Sequence, residues 1–206
     1  MNRENRCNKS FREDSAVELL KERILKDGVC IGSDILKVDS FLNHQIDITL
    51  FNQIGEEFKR RFAKEQVTKI LTIEASGIAV ACITAQYFDN VPVVFAKKQE
   101  SSNLSADVYS SEVYSFTKNK TFQIRVDRAY LAPGDSVLII DDFLANGNAA
   151  LGLADIVEQS GAKVAGFGIV IEKGFQDGRQ RLLERGYHLE SLAVIQSIAD
   201  GQITFA

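Results

Sequence analysis

What most constrains the fold of this chain is residues 137–153, VLIIDDFLANGNAALGL. Val137, Leu138, Ile139 and Ile140 form an apolar, β-prone run, which predicts a strand covered on both faces and therefore inside a parallel sheet. The run ends in two carboxylates, Asp141 and Asp142. Buried strands rarely end in adjacent acids without something for them to hold, because a buried charge without partners is costly. Both acids then stand at the carboxyl edge of the sheet, the rim where open α/β sheets bind ligands. Ala145, Asn146, Gly147, Asn148 and Ala149 follow, small and flexible enough to wrap an anion in backbone N–H groups. They lead into a helix expected over 149–159 and closed by Gly161. A helix N-terminus carries roughly half a positive charge and unpaired donors. Acids for hydroxyls beside amides for phosphate oxygens suit a phosphorylated sugar.

The rest of the chain supplies a setting for that stretch. Residues 15–18 read as a capping box opening a helix that closes before Gly28, and residues 35–38 as a short extended piece after a turn at Gly32 and Ser33. Residues 41–44 read as an irregular apolar loop. Asp47 is placed to cap a second helix whose Phe51, Ile54, Phe58 and Phe62 share one face. A strand over 69–73, a loop over 74–77, a helix over 78–87 and a strand over 91–96 make a β-α-β unit, which implies a parallel sheet. Residues 97–107, KKQESSNLSAD, have little to bury and read as a mobile lid. Residues 108–116 and 121–126 read as an antiparallel pair turning at 118–120, with Tyr109, Tyr114 and Phe116 near the lid. Pro133 and Gly134 turn into the central strand. A strand over 164–171, a loop over 172–179, a helix over 180–185 and an extended segment over 189–198 complete the pattern. The fold class is α/β, with one domain over 15–206 and a polar extension over 1–14 that is expected to be disordered.

Composition narrows the function. A net charge of −4 across 206 residues and a pI near 5.3 give no basic field for nucleic acid. Cys7, Cys30 and Cys82 match neither a metal-ligand spacing nor a disulfide framework, so they read as free thiols in a reducing, cytoplasmic setting. No apolar run approaches the roughly 20 residues of a membrane span. His44 and His188 stand in no acid–base arrangement and read as structural or surface residues.

The central stretch resembles the phosphoribosyl-pyrophosphate (PRPP) motif of the type I phosphoribosyltransferases, with Asn146 where that motif usually has Thr. Glu74, Ala75, Ser76 and Gly77 resemble the family's pyrophosphate loop, which often holds a cis peptide, expected here between Ala75 and Ser76. Lys97 and Lys98 are then placed to meet phosphate oxygens, across a dimer interface if need be. Residues 36–45, 141–147 and 171–176 together resemble the xanthine phosphoribosyltransferases, a likeness that covers nearly everything after residue 15. Departures are small: Ala75 and Gly174 where Ser is common, Asn148 where Gln is common, and Asp177 where Pro is common.

The resemblance implies a central, mainly parallel sheet flanked by helices, with a hood over 15–46 and the C-terminal end above a core over 47–206. It implies that Asp141 and Asp142 serve catalysis and that PRPP lies on Ala145, Asn146, Gly147, Asn148 and Ala149. Pyrophosphate then meets Ala75, Ser76, Gly77, Lys97 and Lys98, while xanthine meets Leu36, Asn43, Lys173 and Phe175. Mg²⁺ is implied as a passenger on PRPP with no direct protein ligand, and a homodimer as the assembly. Two other readings stay open: a hypoxanthine- or guanine-preferring enzyme, and a non-catalytic PRPP-sensing regulator. A dinucleotide-binding dehydrogenase is weaker, because residues 147–152 lack the middle glycine of GxGxxG.

Overall fold

The computed structural model describes residues 15–99, 107–115 and 120–206. The expected extension over 1–14, residues 100–106 of the expected lid, Phe116 and residues 118–119 of the expected turn lie outside them. Helix α1 (Ser15–Asp27) buries Leu20 and Ile24 and ends where the Gly28 N–H donates to the Ile24 carbonyl. Strands β1 (Val29–Ile31) and β2 (Ile35–Lys37) pair antiparallel as a separate hairpin. Leu36 points inward from it, whereas Val29, Ile31 and Ile35 remain exposed. The irregular loop is a short π-helical turn, Asp39–Asn43, that buries Phe41 and Leu42. In α2 (Ile48–Arg61), the Asp47 side chain accepts from the Leu50 N–H at 3.1 Å. Phe51, Ile54, Phe58 and Phe62, the face read from spacing, are at most 1% exposed.

The main body follows as β3 (Lys69–Ile73), α3 (Ser76–Tyr87), β4 (Val93–Gln99), β5 (Val108–Ser115), β6 (Lys120–Asp127), β7 (Ser136–Leu144), α4 (Asn148–Gln159), β8 (Lys163–Lys173), α5 (Gly178–Glu184), β9 (Leu189–Ala199) and β10 (Gln202–Phe205). These strands form one eight-stranded sheet in the order β10-β9-β8-β7-β3-β4-β6-β5. β9, β8, β7, β3 and β4 run parallel, while β10, β6 and β5 are antiparallel additions at the two edges. β7 is buried on both sides, as its apolar run requires: Leu138 and Ile140 join a core with α1, α2 and α3, and Val137 and Ile139 join a second core with α4.

Several boundaries depart from the sequence reading. The central strand does not stop at its acids but continues through Phe143 and Leu144, because β8 also runs on and offers Ile171 and Glu172 as partners. Lys97 and Lys98 belong to β4 rather than to a lid, because β6 turns back beside them and pairs Lys97 with Arg125 and Lys98 with Ile124. α3 begins at Ser76 and α5 at Gly178, each two residues ahead of the expected start. β10 was not expected; Asp200 and Gly201, with φ of +50° and +76°, make the two-residue turn that folds it onto β9.

Candidate active site

A cavity of about 750 Å³ opens at the carboxyl ends of β3, β7 and β8. Of the residues singled out in the sequence, it brings together Asp141 and Asp142, the whole run Ala145, Asn146, Gly147, Asn148 and Ala149, and also Ser76, Lys98 and Lys173. Ala75, Gly77, Lys97, Leu36, Asn43 and Phe175 do not line it.

The loop between β7 and α4 owes its shape to two glycines. Gly147 sits in the left-handed region (φ +79°), and a side chain there would also come within 3.0 Å of the Gly178 Cα. Gly178 has still less room, since a Cβ on it would stand 2.2 Å from the Ala145 carbonyl oxygen. Its N–H donates to that carbonyl at 3.0 Å. The start of α5 is thereby pressed onto the back of the loop. The first turn of α4, whose N–H groups have no acceptor within the helix, begins at the cavity wall.

Beside the loop, Asp141 and Asp142 are 6% and 9% exposed. The Asp142 N–H donates to Asp141 Oδ1 at 3.0 Å. Burial, and then the neighbouring Asp142 carboxylate, push the Asp141 carboxyl well above its ordinary range. Gly77 lets α3 pack close: a Cβ there would lie 3.0 Å from Asp141 Oδ1 and 2.1 Å from Thr72 Oγ1. That Thr72 hydroxyl is buried with no hydrogen-bond partner among the described residues. The turn before α3 holds a cis peptide at Glu74–Ala75, one bond earlier than expected. Glu74 reaches across so that Oε1 accepts from the Lys98 N–H at 2.5 Å. Successive strand residues face opposite sides, which is why Lys98 meets the cavity and Lys97 does not.

The other end of the cavity is assembled from distant segments. Lys173 Nζ donates to the Asp34 carbonyl at 2.5 Å, joining the end of β8 to the hairpin turn. Burial lowers the Lys173 pKa, and the nearby Asp34 charge opposes that shift. Asp34, Ile35, Phe143, Tyr114 and Gln176 also line the cavity. Of these, sequence reasoning weighed only Tyr114, without choosing it. The Gly32-Ser33-Asp34 turn was legible as a turn, but nothing in it reveals what it faces. Gln176 Oε1 is buried without a partner among the described residues. Leu36 is 6% exposed beneath the hairpin, and Asn43 lies exposed at the end of the π-helical turn. Phe175, 39% exposed, borders a separate depression of about 610 Å³ alongside α5.

Behind the site, Glu172 is 1% exposed and takes both oxygens to Arg179, at 2.6 Å each, while Ser191 Oγ donates to it at 2.5 Å. A bidentate pair of this kind fixes direction as well as distance. It sets where α5 begins. The sequence reading placed Glu172 and Arg179 in a loop and Ser191 in the last extended segment, with no link between them.

A phosphoribosyl transferase domain matches residues 38–197. The chain belongs to that family. It is 66% identical over 189 residues to a xanthine phosphoribosyltransferase of Ruminiclostridium cellulolyticum, covering 92% of this chain and 99% of the relative. To a xanthine phosphoribosyltransferase of Clostridium novyi it is 61% identical, with the same two coverages. Among solved structures, an adenine phosphoribosyltransferase from Rhodothermus marinus superposes with a TM-score of 0.69 at 25% identity, covering 87% of this chain and 97% of that one. The fold is that of the type I phosphoribosyltransferases, with the cavity at the strand ends and the hairpin above it.

Donors at the cavity suit a hard cation. Asp141, Asp142 and Glu74 offer oxygen only, which accords with Mg²⁺ and its retained waters. Among the described residues, no group of three or more His, Cys, Asp or Glu stands ready to hold an ion unaided. An ion whose remaining ligands come from a phosphorylated substrate fits that donor set. None of the described helices is long and apolar enough to cross a membrane.

Proposed function

We propose that this chain transfers the 5-phosphoribosyl group of PRPP to N9 of xanthine, giving xanthosine 5′-monophosphate and pyrophosphate. The observation that carries the reading is that two buried acids, the 145–149 loop and Lys173 line one cavity. The names of the relatives at 66% and 61% identity point to the same base.

In this reading the 5′-phosphate sits on the N–H groups of the loop and the start of α4. Asp141 and Asp142 accept the ribose hydroxyls. Ser76 and Lys98 face the pyrophosphate, with the lysine opposing the charge that builds on the leaving group. Asp141, Asp142 and Glu74 would hold the water shell of a Mg²⁺ ion arriving with PRPP, and the ion would supply neutralisation of the phosphate oxygens. As the C1′–oxygen bond breaks, positive charge grows on the ring, and the buried carboxylate beside it stabilises that charge more than water does. Xanthine N9 attacks from the opposite face, so the configuration at C1′ inverts. Lys173 donates to a carbonyl of the base, and Gln176 offers an unpaired acceptor to a ring N–H. No covalent protein nucleophile is required. Leu36 and Asn43 reach the base only if the hairpin and the π-helical turn shift toward Lys173 on binding.

The catalytic unit is taken as one domain over 15–206, with the hood over 15–46, working as a homodimer. Cys30 and Cys82 are free thiols, which accords with a cytoplasmic, reducing compartment. The test is consumption of xanthine dependent on PRPP and Mg²⁺, followed by competition among xanthine, guanine, hypoxanthine and adenine. Xanthine is expected to be used first. A winning guanine or hypoxanthine would reassign the base, and no consumption of any of them would leave a PRPP-sensing regulator.

A further inference from the structure

We infer that Arg181 is a positioning residue for the phosphate end of the site and that the Asn148 side chain is a strut in the same brace rather than a ligand for phosphate. The inference rests on the phosphate-loop reading above. Arg181 Nη1 donates both to the Asn146 carbonyl and, at 2.6 Å, to Asn148 Oδ1. From its other end, Asn148 Nδ2 donates to the Tyr114 carbonyl on β5 at 2.9 Å. Both ends of that amide are therefore engaged within the chain.

Peptide geometry gives the brace its consequence. In a trans peptide the C=O and the following N–H point in opposite directions, and among the described residues the cis bond lies elsewhere, at Glu74–Ala75. Gly178 N–H draws the Ala145 carbonyl toward α5, and Arg181 draws the Asn146 carbonyl the same way. The N–H groups of Asn146 and Gly147 are thus turned away from α5, toward the cavity that both residues line. Gly178 and Arg181 are three apart on one helix, so they share a face and meet consecutive carbonyls. The pair between buried Glu172 and the partly exposed Arg179 anchors that helix from behind. A cation bonded to the back of the loop also polarises the peptide whose N–H faces forward, favouring an anion there. The ligand served is a phosphate monoester.

Ribose 5-phosphate is the probe, measured by calorimetric titration beside steady-state kinetics. Arg181→Ala should weaken ribose 5-phosphate binding and raise KM for PRPP by about tenfold, the scale of a hydrogen bond to a charged group. KM for xanthine should stay within about twofold. Arg181→Lys should recover part of the loss, because an ammonium keeps the charge but not the planar fork. Asn148→Ala should cost about threefold, and adding it to Arg181→Ala should cost little more, since the brace is already cut. Arg181→Ala with parental ribose 5-phosphate affinity, or with equal losses for xanthine and PRPP, overturns the inference. If Arg181→Ala does not fold, Arg181→Lys and Asn148→Ala decide, and parental phosphate affinity in both overturns it. A parent chain that binds no ribose 5-phosphate removes the phosphate-loop reading together with the brace. Binding by the parent and equally by Arg181→Ala removes the brace alone.

Discussion

The two ends of the cavity are built differently. The proposed phosphate end comes from one unbroken stretch, β7 to α4, and is held from behind by α5 through backbone contacts and a guanidinium. The proposed base end depends on Lys173 and the Asp34 carbonyl, 139 positions apart, meeting through a hydrogen bond. The first is fixed by local covalent geometry and close packing. The second holds only as long as the hairpin stays down on the core. In the proposed reading, tight positioning belongs to the sugar phosphate, whose reaction needs it, and adaptability to the end that receives the base.

Substitutions can break that contrast or sharpen it. Asp142→Asn should have the largest effect, a fall in turnover of about a hundredfold or more, the scale of removing one preorganised electrostatic group. Near-parental turnover in that variant would take the acids out of the chemistry. Gly178→Ala comes next: with no room for a Cβ beside the Ala145 carbonyl, it should cost about 1–3 kcal/mol of stability and raise KM for PRPP more than KM for xanthine. Denaturant unfolding and paired KM values check both parts. A silent Gly178→Ala would show the phosphate end to be as pliable as the other. Lys173→Ala should raise KM for xanthine by about tenfold and KM for PRPP by less than threefold, on the hydrogen-bond scale. Equal changes would reassign the lysine.

A smaller effect concerns stability and pH. Asp141 in the folded chain holds its proton above the ordinary value of 3.8, so the native state binds more protons than the unfolded one over the pH range above that value. Its contribution is fully present below 3.8 and is lost as pH rises through the folded-state pKa. Asp141→Asn cannot titrate, so its unfolding midpoint should gain on the parent's as pH rises from acid toward neutral. Parallel curves for the two proteins would contradict the shift. Phe175→Ala should change least, within about twofold in KM for xanthine, because the ring borders the depression beside α5 and not the cavity.

How much of this could be read from residues follows the same division. The face of α2, the doubly buried β7 and the acid–loop–helix sequence were legible because each is encoded over a few adjacent positions by period, composition or flexibility. The extension of β7 past its acids was not, since its cause is a neighbouring strand that also runs long. The same holds for Lys97 and Lys98, held in β4 by the return of β6. The position of the hairpin turn over Lys173 depends on tertiary packing that no local pattern records. Arg181 looked like one more charged residue in a short polar helix, and only the approach of Gly178 gives it a target. β10 is a different case, because Asp200-Gly201 is a recognised hairpin signal and the apolar residues after it were available to read.

In the proposed mode a base arriving at Lys173 does not meet an idle ammonium, because one of its three N–H groups already serves the Asp34 carbonyl. Two N–H groups remain on offer, so a base can join the peptide oxygen on the same nitrogen rather than displace it. A base held in this way ties the core strand and the hairpin turn together through one shared nitrogen, so occupancy of the chamber and the position of the turn are linked.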